Sequence, residues 1–360
     1  MSLLILGGDG SAERLAQQVY AYQFAEDPRL ESEYDSRRKR RMLEDIRYNL
    51  EVLATAVRFD TEQVMVEHAR WIYGLLAHRM KDIARQRVAE HMVDHYRAIM
   101  AVLNEEVPAA EYEKTVHYLT LAIDATEAAA GEVMVDDSSE TGVTAHNHRE
   151  LREAFIELVL SAKRDEASRL ILGALDNGLP LADVYLDVFQ PAMYKVGELW
   201  HQGSLAVDKE HYFTAVTQSI MTQLYPRIFS TPRSGRTVLA CCVGNELHEM
   251  GIRMVCDMFE VHGWDSIYLG AALPEDAILR SIEEHSPDLV ALSVTMPHHL
   301  PHSHAILQRI REHPQTSGIK VALGGQAFRM GPYLPRAWGA DYTSQNAERL
   351  VQWANAQVYS

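Results

Sequence analysis

The feature that most constrains this chain is a change of period near residue 236. Before it, apolar positions return every three or four residues, the spacing of amphipathic helices. After it, short apolar runs alternate with helical stretches. The runs are Val238–Cys242, Ser266–Leu269, Leu289–Thr295 and Lys320–Leu323, with a short one near Ala340–Thr343. Helical patterns fall at Glu249–Val261, Glu275–Glu284, Leu300–Glu312 and Ala347–Ala356. Such alternation predicts a doubly wound parallel sheet with helices on both faces. Ligands bind such sheets beyond the carboxyl ends of the strands. The first strand, Thr237–Cys242, runs into the loop Val243-Gly244-Asn245-Glu246-Leu247-His248-Glu249-Met250-Gly251. His248 therefore lies where ligand chemistry is expected, although taken alone it reads rather as a surface loop histidine.

Residues 1 to about 40 carry no clear pattern, and from Met42 to about Ala130 the chain reads as helical. Leu43, Ile46, Leu50, Leu53 and Val57 share one face, and Val64, His68, Trp71, Leu75 and His78 another. Further helices are expected over 83–103 and 110–130, broken at Val107-Pro108. Gly7-Gly8-Asp9-Gly10 lacks the Lys-Ser/Thr of a phosphate loop and reads as a turn. Arg37-Arg38-Lys39-Arg40-Arg41 reads as a solvated helix start, with a nucleic-acid patch as the alternative. The polar run at 135–142 is a linker, and so is 230–235. Between them lie helices over 148–177, from Pro180 to about Leu199, and over 208–225, a bundle of about four helices. The expected architecture is multidomain. An all-α N-terminal domain covers 1–145, a four-helix bundle 146–231, and an α/β doubly wound (Rossmann-like) parallel sheet 236–360.

Charge and composition narrow the function. A net charge of −16 disfavours nonspecific binding to nucleic acid or an acidic membrane. Three cysteines, two of them adjacent in an apolar strand, suit a reducing cytoplasm rather than a disulfide framework. No apolar run reaches the roughly 18 residues of a membrane span, and the start lacks the pattern of a signal peptide. No nucleophile, cyclase or kinase motif stands out.

Three features of the last domain sit at strand carboxyl ends: Glu246-Leu247-His248-Glu249-Met250-Gly251, Ser293-Val294-Thr295 and Gly324-Gly325. No Gly-x-Gly-x-x-Gly follows the first strand, so a dinucleotide is not implied. Glu-x-His-x-x-Gly, then Ser-x-Thr, then Gly-Gly resembles the cobalamin-binding domain family. The resemblance implies that His248 replaces the nucleotide base as the lower ligand of cobalt. Glu246 would orient it, standing where the family usually has Asp. Ser293 would contact the displaced base, beside Thr295, and Gly324 and Gly325 would line the channel for the nucleotide tail, with Gly251 closing the first motif.

In the bundle, Val196-Gly197-Glu198-Leu199-Trp200-His201-Gln202-Gly203 is followed by Glu210-His211. Trp, nine residues, then Glu-His resembles the signature of adenosylcobalamin-dependent photoreceptors. There the bundle caps the upper face of the corrin. The resemblance implies that Trp200 packs over the adenosyl group and Glu210 bonds its ribose. It implies further that His201, with His211 nearby, can ligate cobalt once light has broken the cobalt–carbon bond. The alternative makes Trp200 a core residue and His201 its solvated neighbour. Transcriptional members of that family begin with a winged helix-turn-helix, and residues 1–145 show no such pattern, so no direct nucleic-acid partner is expected. Asp45–Ala54 through Trp71-Ile72-Tyr73 resembles globin-like sensor domains and the helical domain of photocobilins, which pair cobalamin with a bilin. His68, His78, His91, His95 and His117 are then candidates for a biliverdin or other tetrapyrrole pocket, against the plainer reading of surface or hydrogen-bonded core histidines. Pro297-His298-His299-Leu300-Pro301-His302-Ser303-His304 reads as a solvated loop, with a metal site as the alternative.

Together these readings lead to the expectation of a cytoplasmic, non-enzymatic light sensor that binds adenosylcobalamin. It would form a homo-oligomer and act on a signalling protein not identifiable from sequence, without a membrane. A corrinoid methyl carrier of a methyltransferase system shares the lower-face residues and is the rival. A light-independent structural module that keeps cobalamin for folding is the third reading.

Overall fold

The computed structural model describes residues 11–132 and 147–357. The glycine-rich turn at 7–10 and the linker at 135–142 lie outside the described residues. The chain divides into two compact units. One comprises the described part of Met1–Val135 together with Met296–Pro301 and Arg329–Leu334; the other comprises the described part of Asp136–Thr295, His302–Phe328 and Pro335–Ser360.

The first unit is helical: α1 (Ser11–Glu26), α2 (Leu30–Glu33), α3 (Ser36–Phe59), α4 (Glu62–Arg79), α5 (Arg85–Glu106) and α6 (Ala109–Gly131). Asp35 caps α3 by accepting the Arg38 backbone N–H at 2.8 Å, which satisfies one of the helix's orphan donors. Pro108 stands immediately before α6, at the break expected from Val107-Pro108. The basic run forms the first turns of α3, where Arg38 pairs with Asp82 and Lys39 with Glu31. Leu15, Ile46, Leu50, Leu53, Ile99 and Leu119 are fully buried.

The second unit starts with α7 (Arg149–Leu160), α8 (Arg164–Asp176), α9 (Leu181–Asp183), a π-helical turn (Val184–Phe189), α10 (Gln190–His201) and α11 (Val207–Ile228). Two of these junctions differ from the uninterrupted helices expected from periodicity. Between α7 and α8, Ala162 takes φ +59°. The Ala162 N–H reaches Val159 O and the Lys163 N–H reaches Leu158 O, both at 2.9 Å. This is a Schellman stop built on alanine rather than glycine, so composition gave no signal. Before α10, Pro191 has no N–H for the carbonyl of Asp187, and in an α-helix its ring would clash there. The backbone widens into the π turn, and Arg152 Nη1 donates to the Asp187 carbonyl at 3.4 Å.

The rest of this unit winds β1 (Thr237–Cys242), α12 (Met250–Val261), β2 (Asp265–Gly270), α13 (Glu275–His285), β3 (Leu289–Ser293), α14 (Leu300–Glu312), β4 (Lys320–Gly324), α15 (Ala327–Met330), α16 (Leu334–Ala337), β5 (Tyr342–Ser344) and α17 (Ala347–Ala356). The sheet is parallel with order β2-β1-β3-β4-β5. The chain reverses its winding between β1 and β3, which makes that junction the crevice for a ligand. Burial of every residue of β3, and of all of β1 past Thr237, reflects helices on both faces. Bundle and sheet share one core: Phe155, Phe189 and Phe213 pack ring to ring, and the same cluster continues into Met254 and Phe259.

Candidate cobalamin site

The site is built at the β1/β3 switch point. Glu246 is 1% exposed although charged, while the His248 side chain is 60% exposed. A carboxylate is buried at a cost of several kcal/mol unless donors compensate, and here they do. Glu246 Oε1 accepts the backbone N–H groups of Leu247 and His248, each at 3.1 Å, and meets His248 Nδ1 in a short contact. Its Oε2 accepts the Thr295 N–H at 3.0 Å. One side chain thus ties the loop after β1 to the end of β3. It also holds the imidazole with Nδ1 inward and Nε2 turned outward. The hydrogen bond from the imidazole to Glu246 raises the His248 pKa, burial opposes this, and the charges of Glu246 and Glu210 add to the rise. The longer reach of Glu, where Asp was the expected residue, is accommodated.

The two glycines after β4 answer to close packing. A Cβ on Gly324 would meet Ser344 O at 2.9 Å; Gly325 has φ +99° and its Cβ would sit 2.3 Å from Val294 O. Only glycine lets the chain pass this close to the backbone after β3. Beside them a narrow cleft of about 100 Å³ is lined by Gly251, Ser293, Gly324, Gly325, Gln345 and Asn346 among others. Gly251 faces open space, so a side chain there would enter the cleft. Gln345 and Asn346 were not apparent as site residues. Gln345 Nε2 donates to Gly325 O at 2.9 Å, and Asn346 caps α17.

The cap residues gather at the α10–α11 junction. Trp200 and His201 close α10, both half-buried, and Glu210 lies in the first turn of α11 with His211 exposed beside it. Glu210 accepts from Thr214 at 3.1 Å and stands 3.6 Å from His211 Nδ1. Its charge acts on His248, so the bundle's carboxylate and the loop imidazole share one electrostatic environment. Sequence reasoning missed what fixes α11 over the loop. Glu249, the residue after His248, accepts from Gln218 of α11 at 3.2 Å and from Tyr268 of β2 at 2.9 Å.

The remaining histidines divide. His68 and His95 are buried and hydrogen-bonded to the same Asn49, and His95 Nδ1 meets Gln23 Oε1 at 3.2 Å. Burial depresses them to about 3 and about 4, so both are neutral. His91 lies between Tyr34 and Glu33, His78 bonds the Gly74 carbonyl, and His117 pairs with Glu62. The sequence 297–304 is not the solvated loop expected. Pro297–His299 is a 3₁₀ turn with His299 5% exposed, and α14 begins at Leu300. Pro297 and Leu300 are apolar anchors that draw the turn inward. The imidazoles diverge, with His298 edge-on to Tyr48, His302 on Glu275 and His304 against Trp338.

Nε2 turned outward, an ionised carboxylate behind it, and a glycine-lined cleft beside it suit a nitrogen-seeking metal carried on a cofactor with a long tail. Comparison with known proteins agrees on the class. The family described as B12 binding domain matches residues 236–349, and a second B12 binding domain family matches 151–225. The chain thus contains two cobalamin-binding modules over these residues. Among its relatives is the HTH-type transcriptional repressor CarH of Myxococcus xanthus, 25% identical over 262 residues, covering 71% of this chain and 82% of CarH. CarA of the same organism, also an HTH-type transcriptional repressor, is 27% identical over 206 residues, covering 56% and 67%. Monomethylamine corrinoid protein 1 of Methanosarcina acetivorans is 22% identical, covering 52% and 88%. The solved monomethylamine corrinoid protein of Methanosarcina barkeri superposes with a TM-score of 0.52 at 18% identity, over 58% of this chain and 98% of that one, a likeness of fold. Two relatives being transcriptional repressors, the expectation of no nucleic-acid partner draws no support from them. No helix among the described residues is long and apolar enough to cross a membrane.

Proposed function

We propose that this chain is a light sensor that binds adenosylcobalamin between the α10–α11 junction and the loop after β1. When bound, that cofactor supplies a cobalt–carbon bond that visible light breaks. The observation that carries the reading is the pairing of cap and floor: Trp200, His201 and Glu210 lie at the α10–α11 junction, and Gln218 of α11 donates to Glu249, the residue after His248. Glu246 holds His248 in the tautomer whose Nε2 can donate to cobalt. Ser293, Thr295, Gly251, Gly324 and Gly325 border the space for the displaced base and tail. Trp200 offers an aromatic face the size of a purine, and Glu210 accepts from ribose hydroxyls. Loss of the adenosyl group would leave Trp200 without its partner, and His201 is the residue that would hold the vacated face. The bundle is then the two-state element biased by a bound group, and its movement changes self-association or the N-terminal unit. Corrinoid relatives favour a second reading, a methyl carrier, which needs no aromatic over its small upper ligand.

The deciding experiment is a visible spectrum of the purified chain with adenosylcobalamin, in the dark and after illumination. A light-induced spectral change that Trp200→Ala alters by releasing the adenosyl ligand supports the sensor. An unchanged spectrum on illumination refutes it, and methyl transfer to a thiol or pterin acceptor supports the carrier. The finer proposal of a bilin in the N-terminal unit is tested by adding biliverdin separately. Since His68 and His95 already hydrogen-bond Asn49 and Gln23, a bilin held by either imidazole would have to break that network.

A further inference from the structure

The bundle carries a second group of metal-ligating side chains, away from the residues that would hold cobalamin. His148 immediately precedes α7, and Asp183 and Asp187 lie four residues apart at the entry to the π turn. One ligand atom of each lies within 4.8 Å of the other two. His148 Nε2 is 3.5 Å from Asp183 Oδ2. All three are half-buried, accessible to an ion yet held by the fold.

Three features separate this group from an ordinary patch of surface acids. First, its donor set is mixed, one imidazole and two carboxylates, which suits Zn²⁺ and its neighbours rather than Ca²⁺ or Mg²⁺. Second, the ligands come from two elements brought together by folding, and ligand atoms on one Zn²⁺ sit about 3.4 Å apart, so rotamer adjustments alone can close the set. Third, like charges are gathered here. Arg152 donates to the backbone carbonyl of Asp187, and its charge also acts on the Asp187 carboxyl. Carboxylates four apart on a helical surface repel each other, and Glu348 adds negative charge nearby.

We propose that His148, Asp183 and Asp187 bind a divalent transition cation of the zinc type, with water completing its coordination. The ion would fasten the start of α7 to the π turn, the segment that feeds directly into α10 with Trp200 and His201 at its far end. It would stiffen the cap at the end opposite its cofactor-facing residues. This inference is independent of the cobalamin reading.

The test uses the full chain, freed of metal by chelation and without cobalamin. Isothermal titration with Zn²⁺ should show one binding event that His148→Ala and Asp187→Asn each remove, while His285→Ala, an exposed histidine on α13, leaves it intact. Zn²⁺ should also raise the melting temperature of the parent chain and not of the two variants. Asp183→Asn, close in shape to the native residue, repeats the test should either variant fold poorly by circular dichroism. The same Zn²⁺ uptake in parent and folded variants, or no uptake by the parent, overturns the proposal.

Discussion

Glu246→Gln probes the floor of the site most directly. The native carboxylate presents two oxygens to four donors: three on the loop through Oε1 and the Thr295 N–H through Oε2. Glutamine keeps the shape but offers one oxygen. Whichever way the amide turns, its NH₂ faces either the loop N–H groups or Thr295, so at least one buried donor meets another donor. A hydrogen bond to a charged group contributes about 1.5–3 kcal/mol, and a donor left buried without a partner costs about 1–3 kcal/mol. The imidazole also loses the charge that raises its pKa and makes Nε2 a better donor. Residues that orient a metal-binding histidine typically account for about 10–100-fold in affinity, or about 1.4–2.8 kcal/mol. The expected outcome is a fall of that size in cobalamin affinity, measured by dark spectrophotometric titration, with loss of the spectral signature of histidine on cobalt. Affinity within about twofold of the parent, a difference of only about 0.4 kcal/mol, with the same bound spectrum, would refute the role given to Glu246.

Three further outcomes are expected. Gly325→Ala forces a Cβ into the Val294 backbone at positive φ and should cost at least about 2 kcal/mol in urea unfolding; a loss under about 0.5 kcal/mol would show that the β3–β4 ends can spread. Burial raises Asp257, which accepts from Tyr185 at 2.8 Å, to about 6. The folded state therefore holds this proton more tightly than the unfolded state, so the stabilisation is full below the usual carboxylate pKa and is lost as pH rises to about 6. The loss amounts to about 2–3 kcal/mol, and Asp257→Asn should flatten the curve between pH 4 and 6 in denaturant melts; an unchanged slope would place the titration elsewhere. Asn49→Leu removes the shared partner of His68 and His95 and should destabilise by about 2–4 kcal/mol, read as a lower melting temperature.

Much of this protein is legible in the order of its residues because the signals are local. Short apolar runs set between stretches of period 3.6 mark the five strands and place His248, Ser293 and Gly324-Gly325 at strand ends. Three spaced motifs mark the cofactor class. Other features depend on partners distant in the chain, and no local pattern announces them. The Schellman stop rests on an alanine, and the π turn answers to a single proline. The motif assigns Glu246 to His248, but nothing local shows that Thr295, 49 residues later, gives it the N–H that makes its burial tolerable. The histidines at 298–304 read as polar and therefore wet, yet the apolar anchors Pro297 and Leu300 draw His299 inside. His148 and Asp187 are unremarkable in sequence and become a ligand set only when α7 meets the π turn. The sequence by itself determined most of the elements, the sheet class and the residues at its carboxyl edge, since apolar runs alternating with helical stretches and the direction of the chain decide those. Only the tertiary structure decided how the Glu246 carboxylate is buried and partnered, which histidines are neutral core and which glycines are obligatory. Hydrogen-bond partners, burial and close approach are properties of neighbours in space.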